Sequence, residues 1–385
     1  LGRKILADEK GILGGYVRGL LSQFPCMRME LASNRDELIR RFAGSVDGII
    51  YHTVQFCDNY AYEYAWVKEW LDRPMLLLET DYTRQSSGQI RTRIEAFLES
   101  LAPEIHRTKT TGKGDKAMYV MGIDSGSTST NAVIMDQDRK IRAFSVVRTG
   151  AKSGVSAQKA LEEVLEKAGL SREDISWIVS TGYGRVSIDF ADENVTEISC
   201  HGKGAHYFNP KIRTILDIGG QDSKAIHLNE KGEVKDFVMN DKCAAGTGRF
   251  LEMIARTLEV SLDELGAIAL TSTEKIEITS MCSVFAESEV ISLIANNKEK
   301  ADIAEGVCHA IANKAFGLLR RVGMEPDFMM TGGVAKNPGV VRAVEEKIGA
   351  SLYICEEPEI VGAAGAALYA LEKCGFCSGT GRERF

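Results

Sequence analysis

The sequence that decides the fold is Tyr119-Val-Met-Gly-Ile-Asp124-Ser-Gly126-Ser127-Thr128-Ser-Thr130-Asn131-Ala-Val-Ile-Met135. An apolar strand ends in an acidic residue, turns through Gly126 and hydroxyl residues, and returns as a second strand. This pattern predicts a β-hairpin. Because backbone N–H groups and hydroxyls at such a tip can bind phosphate, the turn is a candidate phosphate site.

The pattern recurs later in the chain, as Thr214-Ile-Leu-Asp217-Ile-Gly219-Gly220-Gln221-Asp222-Ser-Lys224-Ala-Ile. Asp217 stands where Asp124 stands in the first copy, which indicates an internal duplication. One Asp-x-Gly is a common turn former, but two in register are far more specific. Two hairpins that face each other can hold a nucleoside triphosphate, with each aspartate placed for magnesium or the attacking water.

A third glycine element follows, Asp327-Phe-Met-Met-Thr331-Gly332-Gly333-Val334-Ala335-Lys336-Asn337. It reads as a strand that runs into glycines and then a helix, so the backbone can approach a ring or ribose without a Cβ in the way. Together with the hairpins it predicts an adenosine-binding turn. Without them, a simple strand-to-helix loop would be preferred.

Two cysteines each stand just ahead of an amphipathic helix. They lie in Asn240-Asp-Lys-Cys243-Ala-Ala-Gly246-Thr247-Gly248-Arg-Phe250 and in Ser280-Met-Cys282-Ser-Val-Phe285-Ala-Glu287. A helix N-terminus favours a thiolate or an anionic metal–sulfur cluster. Iron–sulfur clusters normally need four thiolates, so a pair makes sense if a twofold-related subunit supplies the other pair. The alternative is two buried, inert cysteines.

Composition narrows the class of protein. With 385 residues the chain is longer than one hydrophobic core usually supports, so we expect two or three domains. Its net charge of −7 gives no sign of the basic surface that a nucleic-acid-binding protein needs. No apolar run has the length of a membrane span, and the N-terminus lacks a signal-peptide pattern, so we expect a cytoplasmic protein. Nine cysteines in such a chain indicate metal or redox use for some of them.

We expect residues 1–106 to form a separate small α/β unit, because they contain short apolar runs typical of buried parallel strands. Residues 107–117 are predicted as a linker. Residues 118–373 form the duplicated unit, with lobes at about 118–200 and 201–373, and 374–385 is a tail. The C-x-x-C pair Cys374 and Cys377 would suit zinc or redox chemistry, but a solvated tail is the preferred interpretation.

The hairpins and the late Gly-Gly turn resemble the acetate and sugar kinase, heat-shock chaperone and actin superfamily. That resemblance implies an α/β fold: a duplicated actin-like, ribonuclease H-like ATPase domain with two lobes. The cysteine segments narrow it further. Over about 118–373 the sequence resembles the ATP-dependent activators of 2-hydroxyacyl-CoA dehydratases and the related benzoyl-CoA reductase ATPase subunits.

In that family a homodimer holds one 4Fe–4S cluster between its subunits. ATP hydrolysis with Mg²⁺ drives a low-potential electron, supplied by a donor such as ferredoxin or flavodoxin, into a partner enzyme. The resemblance makes Cys243 and Cys282 the cluster ligands. It implies catalytic roles for Asp124, Asp217, Gln221 and Asp222. The residues implied in cofactor binding are Gly126, Ser127, Thr128, Asn131, Gly219, Gly220, Lys224, Gly246, Thr247, Gly248, Glu287, Gly332, Gly333, Val334, Ala335 and Asn337.

One position departs from that family's pattern. Asn131 stands where activators usually carry a lysine, while the second hairpin keeps Lys224 at the equivalent place. Asn131 can still donate a hydrogen bond to a phosphate.

The N-terminal residues, to about 105, resemble the C-terminal part of a dehydratase D-component-type subunit. The resemblance rests on Gln55-Phe-Cys57-Asp58, Leu78-Glu-Thr-Asp81-Tyr82 and Gly88-Gln-Ile-Arg91-Thr-Arg93. That family uses the cysteine of Phe-Cys-Asp to ligate its own 4Fe–4S cluster, with the other ligands upstream. Taken alone, Cys57 is more often a core thiol.

Two other classes of function stay open at this point. One is a sugar or acid kinase with incidental cysteines, and the other is a nucleotide-dependent scaffold without redox chemistry. A kinase would need a substrate-side carboxylate base near the second hairpin, where this chain places Cys243 instead.

Overall fold

The computed structural model describes residues 35–55, 57–81, 87–101, 118–241, 243–279 and 282–375. The chain divides into two compact units, Leu1–Phe97 and Leu98–Phe385, and each is described by itself. The predicted linker, Cys377 and most of the predicted tail lie outside the described residues. Among the described residues, no helix is long and apolar enough to cross a membrane.

The first unit is a small α/β layer, as predicted. Its strands β1 and β2 pair in parallel, from Ile49 opposite Met75 to Val54 opposite Thr80. The apolar residues Met75, Leu76 and Leu78 of β2 are buried. The elements are α1 (Arg35–Ala43), β1 (Ile49–Val54), α2 (Asp58–Trp70), β2 (Met75–Thr80) and α3 (Ser87–Leu101), the last of which runs across the division between the units.

The second unit contains two five-stranded sheets of the same topology. The strand orders are β5-β4-β3-β6-β7 and β10-β9-β8-β11-β12. In each sheet the first three strands along the chain are antiparallel neighbours, and the next strand pairs in parallel with the first of them. This repeat confirms the internal duplication predicted from the two Asp-x-Gly hairpins.

The first sheet and its helices come first along the chain. They are β3 (Tyr119–Ser125), β4 (Ser129–Asp136), β5 (Ile141–Arg148), α4 (Ser153–Ala168), β6 (Ile175–Thr181), β7 (Glu193–Asn194) and α5 (Glu197–Phe208).

The second sheet and its helices follow. They are β8 (Thr214–Ile218), β9 (Ser223–Leu228), β10 (Val234–Asn240), α6 (Gly248–Thr257), α7 (Leu262–Ala269), α8 (Ser283–Ala295), α9 (Lys300–Val322), β11 (Phe328–Thr331), α10 (Pro338–Ile348), β12 (Leu352–Tyr353) and α11 (Val361–Lys373).

Alternation along β3 places its side chains in two different cores. Met121 and Ile123 belong to the core under α4, whereas Val120 belongs to the core under α11. Because helices cover both faces, the strand reads as a nearly continuous apolar run. By the same alternation, Asp124 ends β3 on the α11 face.

Helix α11 packs against β3 although it ends the predicted second lobe, 201–373. Gly122 permits this contact, since a Cβ there would lie 2.0 Å from the carbonyl oxygen of Ala363. Gly365 lets α11 cross α5 equally closely, since a Cβ there would lie 1.8 Å from the carbonyl oxygen of Cys200. These approaches bring the starts of α5 and α11 to the end of β3, beside Asp124.

Candidate functional site

The turns of the two predicted hairpins meet. Gly126 N donates to Ser129 O at 3.0 Å, and Gly219 N donates to Asp222 O at 3.0 Å, so the turns close in the same way. Gly220 packs directly on the other turn, because a Cβ there would fall 1.7 Å from the hydroxyl oxygen of Thr128. Ser127 and Gln221 are exposed at the tips. The two turns that the sequence predicts as phosphate sites therefore lie against each other.

Asp217 is buried in a network of donors. Lys224 Nζ lies 3.0 Å from Oδ2, and the Thr331 hydroxyl donates to Oδ1 at 2.8 Å. His201 Nε2 lies 3.3 Å from the same Oδ1. Burial acts to raise the pKa of Asp217, but the charges of Lys224 and His201 outweigh it and hold that pKa well below the usual range. The carboxylate is therefore ionised and held rigidly.

Asp124 occupies the equivalent place in the first hairpin but has a different environment. It is only 7% exposed, and among the described residues no hydrogen-bond or ion-pair partner contacts its carboxylate. Glycines make room around it: a Cβ on Gly182 or Gly362 would lie 2.4 or 2.2 Å from its oxygens. Burial raises the pKa of Asp124, against the charges of His201 and Lys224. An unpaired carboxylate in this position fits a metal ion or a metal-bound water.

Lys224 joins the second hairpin to α5. Its Nζ lies 2.9 Å from Asp222 Oδ2 and 3.8 Å from Glu197 Oε1. Burial acts to lower its pKa, but the charges of Asp222, Glu197 and Asp217 raise that pKa well above the usual value. Burial also raises the pKa of Glu197 to about 7, despite the charge of Lys224. Lys224 is therefore a fixed cation beside the Gly219–Asp222 turn, the predicted phosphate site.

His201 and Glu197 are site residues that the sequence did not reveal. His201 Nδ1 lies 2.9 Å from the carbonyl oxygen of Glu197, and both residues are in the first turns of α5. Burial acts to lower the pKa of His201, but the charge of Asp217 raises it to about 9. The only signal in the sequence was that Glu197 and His201 stand four residues apart in the predominantly buried first half of α5. That spacing indicates a site only when α5 is known to lie beside the hairpins.

Asn131 occupies the place in β4 that Lys224 has in β9. Its Nδ2 donates to the carbonyl oxygen of Glu359 at 2.9 Å, and its Oδ1 is buried without a partner among the described residues. Glu359 in turn forms an ion pair with Lys336 at 2.6 Å. Through Glu359, Asn131 thus connects the first hairpin with Lys336 of the late glycine turn.

The late glycine turn lies beside the second hairpin. Gly332 has φ +83°, and a Cβ there would lie 2.5 Å from the carbonyl oxygen of Ile218. Gly333, Val334, Ala335 and Lys336 form a short 3₁₀ turn, and Asn337 then caps α10 by accepting from Val340 N at 3.0 Å. The Asn337 Nδ2 is buried without a partner in the described part of the chain. The predicted adenosine-binding residues therefore lie next to Asp217.

Cys243 and Cys282 are free and exposed, which argues against buried, inert thiols. Cys282 is the N-cap residue of α8, and Cys243 lies in the loop between β10 and α6, as predicted. The Asn240 side chain fixes that loop by donating to Cys243 O at 3.0 Å. Exposed thiolates near helix N-termini are suitable ligands for an anionic cluster.

Helix α6 connects the Gly219–Asp222 turn to both cysteine segments. The N–H groups of Gly248 and Arg249 donate to Gly219 O and Gly220 O at 2.9 and 2.8 Å. At the other end of α6, the Thr257 hydroxyl lies 3.3 Å from Glu287 of α8. Gly246 (φ +91°) and Thr247 shape the entry to α6. These predicted binding residues therefore lie between the cleft and the cysteines, with Glu287 turned towards α6.

Helix α8 also presents an apolar face to solvent. Val284 is 63% exposed and Phe285 67% exposed, and Ile291 and Ile294 extend this surface. Exposed apolar patches of this kind mark interaction sites. The patch begins directly after Cys282.

The other cysteines among the described residues form no comparable site. Cys200, Cys308 and Cys355 are buried, and burial raises the pKa of each thiol, to about 12 for Cys308 and about 11 for Cys355. Cys57 is the half-buried N-cap residue of α2, directly after β1. In the part of the chain that the structure describes, no three His, Cys, Asp or Glu side chains are grouped to hold a metal ion.

Two family models match the chain. Residues 121–370 match the BadF/BadG/BcrA/BcrD ATPase family, and residues 3–101 match the 2-hydroxyglutaryl-CoA dehydratase D-component family.

Individual proteins are similar over the second unit. The activator of lactoyl-CoA dehydratase from Anaerotignum propionicum is 51% identical over 255 residues, covering 66% of this chain and 98% of the relative. The (R)-2-hydroxyglutaryl-CoA dehydratase activating ATPase of Acidaminococcus fermentans is 44% identical over 258 residues, 67% of this chain and 98% of that protein. The solved structure of the activator of 2-hydroxyisocaproyl-CoA dehydratase from Clostridium difficile, with bound ADPNP, has a TM-score of 0.65 at 43% identity, and covers 67% of this chain and 96% of that one.

Proposed function

Because the chain belongs to the BadF/BadG/BcrA/BcrD ATPase family, we propose that it hydrolyses ATP to drive a low-potential electron into an acyl-CoA dehydratase or reductase. The nucleotide would bind with its phosphates between the two hairpin turns and its adenosine at the Gly332–Gly333 turn. The bound ADPNP of the similar C. difficile activator supports an adenine nucleotide.

The hydrolytic step assigns different work to the two aspartates. Asp217, ionised and fixed by Lys224 and Thr331, orients the metal-bound or attacking water, with Gln221 and Asp222 at the same turn. Asp124, whose carboxylate has no described partner, contributes to binding Mg²⁺. Phosphoryl transfer needs little from a protein beyond positioning and charge stabilisation, and both are supplied here by fixed side chains and turn N–H groups.

The electron-transfer part of the proposal rests on Cys243 and Cys282. Both thiols are exposed near helix N-termini, and an exposed apolar face on α8 adjoins the second of them, which fits a shared site on a homodimer axis. A 4Fe–4S cluster bound by two such pairs would supply a one-electron donor. The role of this chain's own residues is to hold the thiolates, orient their helices and join them to the nucleotide turn.

The single observation that carries the proposal is the pair of hydrogen bonds from the first turn of α6 to Gly219 and Gly220. They connect the Gly219–Asp222 turn, where we propose that the phosphates bind, with the segment that carries Cys243. A sugar or acid kinase would not need an exposed cysteine at the end of this connection.

The partner we propose is a 2-hydroxyacyl-CoA dehydratase or benzoyl-CoA reductase component. The functions of the similar activators and the D-component match at residues 3–101 support this choice. Reduced ferredoxin or flavodoxin in the cytoplasm would supply the electron.

The test is anaerobic purification with iron reconstitution, followed by absorption spectroscopy, iron analysis, sizing and an ATPase assay. We expect a brown dimer with about four iron atoms per dimer, which loses its absorption in air, and magnesium-dependent ATP hydrolysis. A colourless protein after full iron loading would contradict the electron-donor proposal and favour a kinase or scaffold.

A further inference from the structure

The two hairpins differ in charge at one equivalent position. Strands β3 and β4 pair Asp124 with Asn131, and strands β8 and β9 pair Asp217 with Lys224. Side chains of a directly opposed antiparallel pair lie on the same face of the sheet, as close neighbours. Each aspartate therefore has one partner residue in its own hairpin, and only the second hairpin supplies a cation.

The difference in charge changes how each carboxylate is neutralised. Lys224 Nζ lies 3.0 Å from Asp217. The Asn131 amide instead donates to Glu359 O at 2.9 Å, and its Oδ1 is buried without a partner among the described residues. Asp124 thus receives no neutralising charge from its hairpin.

The cluster as a whole contains more carboxyl groups than cationic groups. The carboxylates of Asp124, Asp217, Asp222 and Glu197 lie around the cations Lys224 and His201. A polyphosphate brings further negative charge into this cleft. Since like charges in a buried site repel strongly, an additional cation is needed when the nucleotide binds.

We propose that Asn131 makes nucleotide binding by this chain depend strongly on a divalent cation, which neutralises Asp124 as Lys224 neutralises Asp217. The inference rests on the proposed nucleotide-binding function and adds a determinant of its metal requirement. The residue at position 131 would determine how strongly nucleotide binding depends on magnesium, apart from the role that magnesium has in hydrolysis.

The experiment measures ADP binding by calorimetry, once with Mg²⁺ and once with excess EDTA, so that hydrolysis plays no part. The readout is the dissociation constant of ADP in EDTA divided by its dissociation constant in Mg²⁺. For Asn131→Lys we expect this ratio to fall about 10- to 100-fold below the wild-type ratio. A change of that size corresponds to the free energy that one hydrogen bond or ion pair to a charged group contributes. Asn131→Gln, which is longer but uncharged, should keep the wild-type ratio whatever it does to the affinity itself.

A second variant covers the case in which Asn131→Lys does not fold. Asn131→Asp is nearly the same size and adds a carboxylate beside Asp124, so it should raise the ratio above the wild-type value. A wild-type protein that binds ADP equally well in EDTA, or variants that leave the ratio unchanged, would overturn this inference while nucleotide binding stands. A wild-type protein that binds no ADP at any Mg²⁺ concentration would overturn the proposed function and this inference with it.

Discussion

Asp124 and Asp217 hold the same place in duplicated hairpins and have opposite electrostatic environments. Lys224 and His201 keep the pKa of Asp217 low, whereas burial raises the pKa of Asp124, which lacks a described partner. A duplication supplies two equal scaffolds, and substitutions around them divide the work. In their different environments Asp217 is ionised and fixed, whereas Asp124 is left open to a ligand.

At the residue scale we expect Asp217→Asn to lower ATP turnover by about 100- to 1,000-fold, because positioned charge is most of what a protein contributes to phosphoryl transfer. The measurement is steady-state phosphate release with saturating Mg²⁺. Asp138→Asn is a suitable control, since Asp138 is an exposed acid in the turn between β4 and β5. Near-normal turnover in Asp217→Asn would refute the assigned role.

The cysteines give a second prediction at this scale. Cys243→Ser or Cys282→Ser should abolish the cluster in the whole dimer, since either change removes two of the four ligands of a shared site. Loss would be complete and not half, as measured by iron content and visible absorption. Cys355→Ser, at a buried thiol that contacts the carbonyl oxygen of Glu357, should keep the cluster. An undiminished spectrum in the first two variants would mean that the ligands lie elsewhere, for instance at Cys374 and Cys377.

The site residues divide by how far the sequence could reveal them. Asp124, Asp217 and Lys224 lie in local hairpin patterns, which short stretches of sequence specify. His201 and Thr331 reach Asp217 from α5 and β11, so their roles depend on contacts between distant segments. No local pattern distinguishes such a residue from an ordinary buried polar side chain.

At the element scale the same division holds. The hairpins and the helices that follow the two cysteines can be predicted from apolar periodicity and turn residues. The packing of α11 on β3 could not be predicted, because it depends on Gly122 and Gly365 matching backbone segments far away in the chain. Glycine in a strand or helix suggests a close approach but does not say to what.

The contact between the hairpin turns gives a prediction for elements. Gly220→Ala would place a Cβ 1.7 Å from the Thr128 hydroxyl and 2.7 Å from its Cβ, so the turns must separate. We expect ADP affinity to fall at least about tenfold, the effect of roughly 1.4 kcal/mol, because N–H groups from both turns no longer converge on the phosphates. Calorimetric titration measures the change.

Gly317→Ala provides the matched control for this substitution. Gly317 lies in α9, and a Cβ there meets nothing within 4 Å, so ADP affinity should stay at the wild-type value. Equal affinities for Gly220→Ala and the wild type would show that the approach of the two turns does not shape the phosphate site.

At the scale of the whole molecule, the chain combines two family matches. Residues 3–101 match a dehydratase component and residues 121–370 match the ATPase family, so one polypeptide contains sequence related both to an activator and to an enzyme that such proteins activate. Within the ATPase unit, the path from nucleotide to cysteine is short. It runs from Gly219 and Gly220 into α6, and from Ser223 through the Asn240 side chain to the Cys243 loop.

This path predicts that nucleotide state and the cysteine site are coupled. A shift of the second hairpin on loss of the γ-phosphate would move α6, and in a twofold dimer that changes the angle between the two α6 helices and the exposure of the cluster. Typical couplings of about 1–3 kcal/mol correspond to roughly 5- to 150-fold changes in affinity. By linkage, the redox state of the cluster must change nucleotide affinity by the same factor that nucleotide changes the redox equilibrium.

We therefore expect a strong iron chelator to remove the cluster at different rates with an ATP analogue, with ADP and without nucleotide, and ADP affinity to differ between oxidised and reduced protein. A matched variant is Asn240→Ala, which removes the side chain that joins Ser223 to the Cys243 loop and leaves both cysteines in place. In this variant the chelation rates in the three nucleotide states should become more similar. ADP affinity should change less, because the contacts between the two hairpin turns stay in place. Equal chelation rates in all nucleotide states, together with equal ADP affinities in both redox states, would mean that the nucleotide and cysteine sites act independently in spite of the hydrogen bonds between them.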